Sequence, residues 1–196
     1  MSGPFLYPQK IHKRRHDPPQ YVDFVSYKDY LRDEFIFRCV YCLMRETWCE
    51  SPSFFSVEHF RPKSAYPNER TSYSNLLYAC HSCNCAKGDI PLPPEFHPEV
   101  NPYGKYLSIN RDGWIRAKTP AGTFLIRTLN LNAEYRVNFR RVHFDILEEG
   151  LRRRNSQIAR RRLRDFFGYP LNMPDFSHRR GANRPYATRP NLPDWF

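Results

Sequence analysis

The sequence predicts an α+β protein on three observations. Two Cys-x-x-Cys pairs, Cys39/Cys42 and Cys80/Cys83, have the spacing of a four-thiolate zinc site. Short aromatic and apolar segments beside the pairs suit strands, and segments with helical periodicity flank them. With 196 residues, 40% of them hydrophobic and 16% aromatic, the chain can bury one core with extensions.

The six cysteines also allow a secreted disulfide scaffold, but two observations argue against it. Residues 1–9 hold no apolar stretch of signal-peptide length, and two cysteine pairs have zinc spacing. No window approaches the roughly 18 consecutive apolar residues of a membrane span. We therefore expect a soluble, cytoplasmic protein with no membrane partner.

The charge balance favours a polyanionic partner, with nucleic acid as the first candidate. The chain has 31 Lys and Arg against 20 Asp and Glu, a formal charge of +11. Four zinc-bound thiolates would add four negative charges and the ion two positive ones, so +11 becomes +9. A basic surface that serves only solubility is the alternative.

The chain begins with a predicted basic arm over residues 1–25, which is ordered only if it docks on a partner surface of some kind. Ser26 followed by Asp29 is typical of a helix N-cap with an acidic third position. Apolar residues then recur on one helical face. They are Tyr27, Tyr30, Leu31 and Phe35.

The segment 26–90 is the predicted core. Residues 37–42 and 54–60 are predicted as strands because aromatic and apolar residues dominate them. Residues 74–77 lead into the second cysteine pair, and a short helix should open near Asn84 and stop at about Gly88.

Residues 91–105 form a predicted proline-rich connector, since proline forbids helix and cannot donate to a strand ladder. Residues 106–170 form a hairpin and an arginine-rich helical extension, and residues 171–196 an irregular tail. Segments 106–110 and 114–118 alternate around Gly113, which indicates the hairpin.

A longer helix follows the hairpin, with Asn132 as its predicted N-cap and Gly150 as a candidate interruption. Its predicted inward stripe consists of Tyr135, Phe139, Val142 and Ile146. Seven arginines then lie within residues 151–167, where they could line a phosphate backbone, form a solvated helix face or dock an acidic protein.

The residues between the cysteine pairs are suited to phosphodiester hydrolysis, which needs a base for water and a cation for the phosphate. His59 is the candidate base, because a neutral imidazole is available near pH 7. Glu58 and Asn84 offer oxygen atoms to a divalent ion such as Mg²⁺. Lys87 lies one helical turn after Asn84 and could contact phosphate.

These residues, with Asn75, resemble the zinc-stapled HNH endonuclease motif, whose fold is called ββα-metal. The resemblance implies that His59 is the base, that Asn75 braces the loop carrying it, and that Asn84 is the last metal ligand. Glu58 stands where Asp is common, so direct and water-mediated contact with the ion both stay open. Adjacent strand residues point to opposite faces, so Glu58 and His59 can serve one phosphate only if the strand ends near them, as Pro62 indicates. The implied cofactors are structural zinc and catalytic Mg²⁺ or Mn²⁺.

The run His59-Phe60-Arg61-Pro62-Lys63 is more narrowly similar to HNH proteins of bacterial anti-phage defence, of the Septu type and retron-associated. In that group an ATPase partner is typical, so the resemblance implies DNA and an ATPase as partners. Arg61 and Lys63 either hold phosphate or solvate a loop. Two alternatives stay open, a zinc-stapled adaptor without catalysis and a nuclease that acts on RNA.

Overall fold

The computed structural model describes residues 4–153 and 155–183. The helices are α1 (Lys28–Glu34), α2 (His81–Lys87), α3 (Pro120–Thr128), α4 (Glu134–Arg152) and α5 (Gln157–Phe167). The strands are β1 (Phe55–His59), β2 (Leu76–Cys80), β3 (Leu107–Ile109) and β4 (Ile115–Ala117). They pair as two antiparallel sheets, β1 with β2 and β3 with β4. The α+β class is confirmed, and β1, β2 and α2 follow one another in ββα order.

Helix α1 follows a 3₁₀ turn over Phe24–Tyr27. The Asp23 carboxylate caps this turn by accepting the Val25 amide at 3.1 Å, so the N-cap predicted at Ser26 is wrong. The predicted apolar face is confirmed, because all four of its members are buried. They are Tyr27, Tyr30, Leu31 and Phe35.

The strand predicted over residues 37–42 is wrong. Ile36 and Phe37 have φ angles of 54° and 53°, which no strand accommodates. Only an isolated bridge between Arg38 and Arg45 forms beside them. The chain instead turns, with the Leu43 amide donating to the Cys39 carbonyl at 3.1 Å. The turn is what brings the first cysteine pair together.

Strands β1 and β2 pair from Phe55 opposite Cys80 to His59 opposite Leu76. The strand predicted over 54–60 is therefore confirmed. Helix α2 opens directly after Cys80, three residues before the predicted start near Asn84, and its end at Gly88 is confirmed. Gly88 has a φ of 50°, a conformation that favours glycine at a helix C-terminus.

The proline-rich stretch packs against the same apolar core as β1 and β2. Leu92, Phe96 and Tyr103 are buried in this core, and so are Leu107 of β3 and Ile115 of β4. Proline keeps the stretch free of regular strands, yet three of its large apolar side chains are buried in the core. Gly113 at the turn of the β3–β4 hairpin has a φ of 83°, as the predicted turn requires.

The N-terminal arm docks on the core over residues 4–17. The Tyr7 hydroxyl donates to the Tyr41 carbonyl at 2.7 Å, and the Arg14 guanidinium pairs with Glu99 at 2.7 Å. In the tail, the Asn183 amide donates to the His16 ring at 2.9 Å. Residues 184–196 of the predicted irregular tail lie outside the described part of the chain.

Helix α4 begins at Glu134 without a side-chain cap, so the N-cap predicted at Asn132 is wrong. The Asn132 side chain bonds the backbone of β4 instead: Oδ1 accepts the Ile115 amide at 2.9 Å and Nδ2 donates to the Ile115 carbonyl at 2.7 Å. A tertiary partner has displaced the local capping bond.

The predicted inward stripe of α4 is also wrong. Tyr135, Val142 and Ile146 are 63%, 49% and 40% exposed. The buried face consists of Arg136, Val137, Arg140, His143 and Leu147. The two arginines can face inward because each finds acceptors there; Arg140, for example, donates to the carbonyls of Gly113 and Leu131.

Gly150 does not interrupt α4, which continues to Arg152. A Cβ at this position would lie 2.4 Å from Leu163 Cδ2, so the glycine lets α5 pack closely against α4. Ala159, Leu163 and Phe167 form the buried face of α5, and most of its arginines are exposed. Among the described residues, no helix combines the length and apolar character needed to cross a bilayer.

Candidate active site

The four predicted zinc ligands lie together beneath the β1–β2 sheet. Cys39 and Cys42 come from the turn after α1, Cys80 ends β2 and Cys83 belongs to α2. Their sulfur atoms lie within 4.8 Å of one another, and those of Cys42 and Cys80 are 3.6 Å apart. Four sulfurs at 2.3 Å around a tetrahedral zinc would be about 3.8 Å apart, so the cluster fits zinc with no position left for water.

Arg136 of α4 lies against this cluster, and sequence reasoning did not identify it. Its guanidinium donates to Cys83 Sγ at 3.3 Å and to the Leu129 carbonyl at 3.1 Å. Burial lowers the pKa of Arg136, but Cys83, a hydrogen bond with Tyr135 and the other nearby cysteines outweigh this effect and the net shift is upward. A permanent positive charge therefore offsets part of the negative charge of four zinc-bound thiolates.

His59 ends β1 with its imidazole held by the backbone. Nε2 lies 2.9 Å from the Arg70 carbonyl oxygen, and the ring packs edge-on against Phe24. Because a carbonyl can only accept, Nε2 carries the proton and Nδ1 keeps its lone pair. Burial lowers the pKa of His59, the Arg70 hydrogen bond opposes this shift, and nearby Lys63, Lys87 and Arg70 add to it. The imidazole is therefore a neutral base with a fixed tautomer.

Asn75 closes the connection between β1 and β2. Its Oδ1 accepts the Arg61 amide at 2.8 Å, and its Nδ2 donates to the Arg61 carbonyl at 3.1 Å and to the Glu69 carbonyl at 3.3 Å. The loop so tied carries the Arg70 carbonyl that holds His59. Asn75 therefore ties two points of the loop, at residues 61 and 69, to the start of β2.

Exposed cations surround the Phe24 ring beside His59. Lys63 Nζ lies 5.3 Å and the Arg70 guanidinium 5.5 Å from the ring centroid. Arg61, by contrast, pairs with Glu69 at 2.6 Å. Lys63 and Arg70 are thus placed to attract a phosphate close to the imidazole. Phe24 and Arg70 had no sequence signal, because the 3₁₀ turn before α1 and the loop meet only in the folded chain.

Glu58 and Lys87 form a buried ion pair. The Lys87 ammonium lies 2.8 Å from Glu58 Oε1 and donates to the His59 carbonyl at 2.8 Å. Burial raises the pKa of Glu58 to about 7, although Lys87 opposes the shift. Lys87 is 1% exposed, so the phosphate contact suggested by the sequence does not match its position.

Asn84 lies on the α2 side of the sheet, where its Nδ2 donates to Ser56 Oγ at 3.0 Å. Ser56 and Glu58 alternate along β1 and so face α2, whereas His59 faces Phe24 and the loop. Asn84 retains an amide oxygen suited to a hard divalent ion. Glu58 Oε1 already has a buried cationic partner, the Lys87 ammonium at 2.8 Å.

Two further cysteines lie outside the cluster. Cys85 is exposed on α2, with its sulfur 3.4 Å from His81 Nε2, and Cys49 is half-buried with its sulfur 3.7 Å from the Arg45 carbonyl oxygen. Cys85 therefore does not compete with Cys83 for the zinc position.

Comparison with known proteins agrees with this geometry. Residues 39–89, the segment bounded by the cysteine pairs, match the family model described as HNH endonuclease. The chain is also 33% identical over 97 residues to "Septu protein PtuB" of Bacillus thuringiensis. The match covers 48% of this chain and 37% of that protein, so the chain matches little more than a third of the relative's length.

Proposed function

Since residues 39–89 match the HNH endonuclease family model, we propose that the chain is a nuclease that hydrolyses DNA phosphodiester bonds. The observation that carries this proposal is the His59 imidazole, whose Nε2 is committed to the Arg70 carbonyl at 2.9 Å. Its Nδ1 is thereby available to take a proton from water at neutral pH. The net charge of +11 supports a polyanionic substrate.

In the proposed reaction His59 Nδ1 accepts a proton from the attacking water. The water oxygen bonds to phosphorus while the bond to the 3′ oxygen breaks, which leaves a 5′ phosphate. Lys63 and Arg70 hold the phosphate from the exposed side, and Asn75 keeps the loop in place. Mg²⁺ or Mn²⁺, when bound, would add positive charge at the phosphate oxygens. Asn84 and His59 face opposite sides of β1, so Asn84 is its proposed ligand only for a phosphate at the end of the strand, where His59 is the last residue.

The similarity to Septu protein PtuB supports a role in bacterial anti-phage defence. We propose that the chain is the nuclease effector of such a system and works with an ATPase partner, as the sequence resemblance implies. Because no base-reading element is evident, cleavage should be weakly sequence-specific and depend on the partner for control. The exposed arginines of α5 are a proposed second contact for the DNA backbone.

The test is nicking of supercoiled plasmid with Mg²⁺ or Mn²⁺, with a chelator as the negative control. His59→Ala should lower the rate by about 10²–10⁴-fold, the usual contribution of a general base. His97→Ala is the matched control, because His97 Nε2 also bonds a carbonyl, that of Ser74, and burial also lowers its pKa. His97→Ala should leave the rate unchanged.

Equal nicking by wild type and His59→Ala would contradict the proposal. Labelled duplex DNA, single-stranded DNA and RNA in one buffer identify the substrate. Preferential cleavage of RNA would favour the alternative nuclease, whereas binding without cleavage, with and without the ATPase partner, would favour the adaptor.

A further inference from the structure

The pair formed by Glu58 and Lys87 differs from the metal-ligand role that the sequence assigns to Glu58. Glu58 is 2% and Lys87 1% exposed, and the ammonium and carboxylate are 2.8 Å apart. Burying either charge alone is strongly unfavourable, so each depends on the other for its charged state. The carboxylate is thus enclosed and neutralised from within the protein.

Lys87 also connects this pair to the candidate base. Its ammonium donates to the carbonyl of His59 at 2.8 Å, and His59 is the residue that follows Glu58 in β1. The pair therefore fixes the peptide that carries the imidazole, from the face of the strand opposite to the Arg70 contact. His59 is held on one side by a loop carbonyl and on the other by a helix lysine.

A divalent ion bound to Glu58 Oε1 would have to displace the Lys87 ammonium from that oxygen. The ammonium would then remain buried with the neutral His59 carbonyl as its remaining partner among these contacts. The loss of a buried counter-ion opposes such an exchange. The Asn84 side chain donates its amide nitrogen to the Ser56 hydroxyl. An ion that binds the Asn84 amide oxygen therefore does not have to break a buried charge pair.

We propose that Glu58 is a positioning residue and not a ligand of the catalytic ion: with Lys87 it forms a buried charge pair that holds His59 in place. This inference rests on the proposed nuclease function and adds to it. It removes the carboxylate from the ligand set and makes Lys87 part of the support of the base.

The test compares wild type with Glu58→Gln, Lys87→Met and the double variant. Each single change leaves one charge without its partner, whereas the double change removes both. The double variant should therefore nick at least about tenfold faster than the slower single variant. The Mn²⁺ concentration for half-maximal rate should stay within about twofold of wild type in Glu58→Gln, since equal half-saturation means equal binding.

A ligand role gives the opposite result. The double variant would then be no faster than Glu58→Gln, and Glu58→Gln would need at least about tenfold more Mn²⁺. Either outcome overturns the proposal. The buried pair between Arg32 and Glu46, also 2.8 Å apart, is the matched control. Arg32→Met should lower the melting temperature and leave the Mn²⁺ requirement unchanged.

Melting temperatures of the same four proteins separate this proposal from the proposed function. If wild-type protein does not nick any substrate, the nuclease function fails while the pair is still tested by stability. A double variant that melts above Lys87→Met supports the pair. A double variant whose loss of melting temperature equals the sum of the losses in the two single variants overturns it.

Discussion

The described part of the chain contains two ββα units that share an element order and differ in their side chains. In the first, β1 and β2 precede α2, and in the second, β3 and β4 precede α3. An asparagine side chain makes two bonds to one backbone residue in each, Asn75 to Arg61 and Asn132 to Ile115. The first unit contains Glu58, His59 and Lys87, whereas the second is packed with aliphatic residues such as Ile115 and Leu125.

The difference between the units shows that strand pairing and asparagine bracing alone do not make a site. The β3–β4 connection is a tight turn at residues 110–114, while residues 60–75 between β1 and β2 form a long loop. This loop supplies the Arg70 carbonyl that holds His59 and the Lys63 ammonium beside Phe24. The length of the connection, and the four-cysteine cluster that joins its unit to the turn after α1, distinguish the two.

The largest expected effect comes from removing a zinc ligand, since only the first unit includes the cysteine cluster. Cys80→Ser should abolish zinc retention and unfold β1, β2 and α2, because metal-binding energy of about 10–16 kcal/mol in small zinc modules is folding energy. Zinc content per chain and far-UV circular dichroism measure it. Cys85→Ser on the same helix should retain full zinc, and a similar loss there would refute the assignment of the ligands.

The two asparagines give the next largest effect and the sharpest contrast. Asn75→Ala and Asn132→Ala should each lower the free energy of unfolding by about 1–3 kcal/mol, because each leaves backbone groups without partners. Only Asn75→Ala should also slow nicking at a temperature where both variants are folded. Chemical denaturation and plasmid nicking measure the two quantities. Equal slowing in both variants would show that the brace acts through stability alone.

The pH dependence of nicking should reflect the lowered pKa of His59. The base works when neutral, so the rate should persist as pH falls through about 6.5, the ordinary pKa of histidine, and decline only below it. The same shift makes the folded state bind fewer protons than the unfolded one, so the stability that His59 contributes is lost as pH falls through its folded pKa.

Glu58, with a pKa raised to about 7, would titrate in the same range. The pH dependence of the nicking rate is therefore measured again in Glu58→Gln, where only the protonation of His59 should lower the rate. A rate that already halves above pH 6.5 in this variant would contradict a neutral base held by the Arg70 carbonyl.

The smallest expected effect concerns the helix that follows each hairpin. The Thr119 hydroxyl caps α3 by accepting the Gly122 amide at 3.1 Å, whereas α2 begins at the zinc ligand Cys80 without a side-chain cap. Thr119→Ala should cost about 1 kcal/mol of stability, as loss of a threonine cap does, with nicking unchanged. Slower nicking at permissive temperature would mean that the second unit supports the first more than its contacts indicate.

Local patterns in the sequence predicted much of both units. The cysteine spacing, the β1 segment, the helix end at Gly88 and the turn at Gly113 each depend on neighbouring residues, and each is confirmed. These are features in which local preference and the final fold agree.

The predictions that failed depend on distant partners. Residues 37–42 turn instead of forming a strand, with Ile36 and Phe37 left-handed so that the thiols converge. The Asn132 side chain bonds the backbone of β4 instead of capping α4. Arg136 faces inward because Cys83 accepts its hydrogen bond. The carbonyl that holds His59 belongs to the main chain, which no residue pattern could identify.

The central claim is that the first unit presents His59 as a neutral base with its proton on Nε2. Two-dimensional ¹H–¹⁵N NMR of the imidazole, compared between wild type and His59→Ala to assign the signals, tests it directly. The account predicts the Nε2–H tautomer and a pKa below about 6.5, the ordinary value for histidine. An Nδ1–H tautomer, or a ring that is already protonated at pH 7, would contradict it.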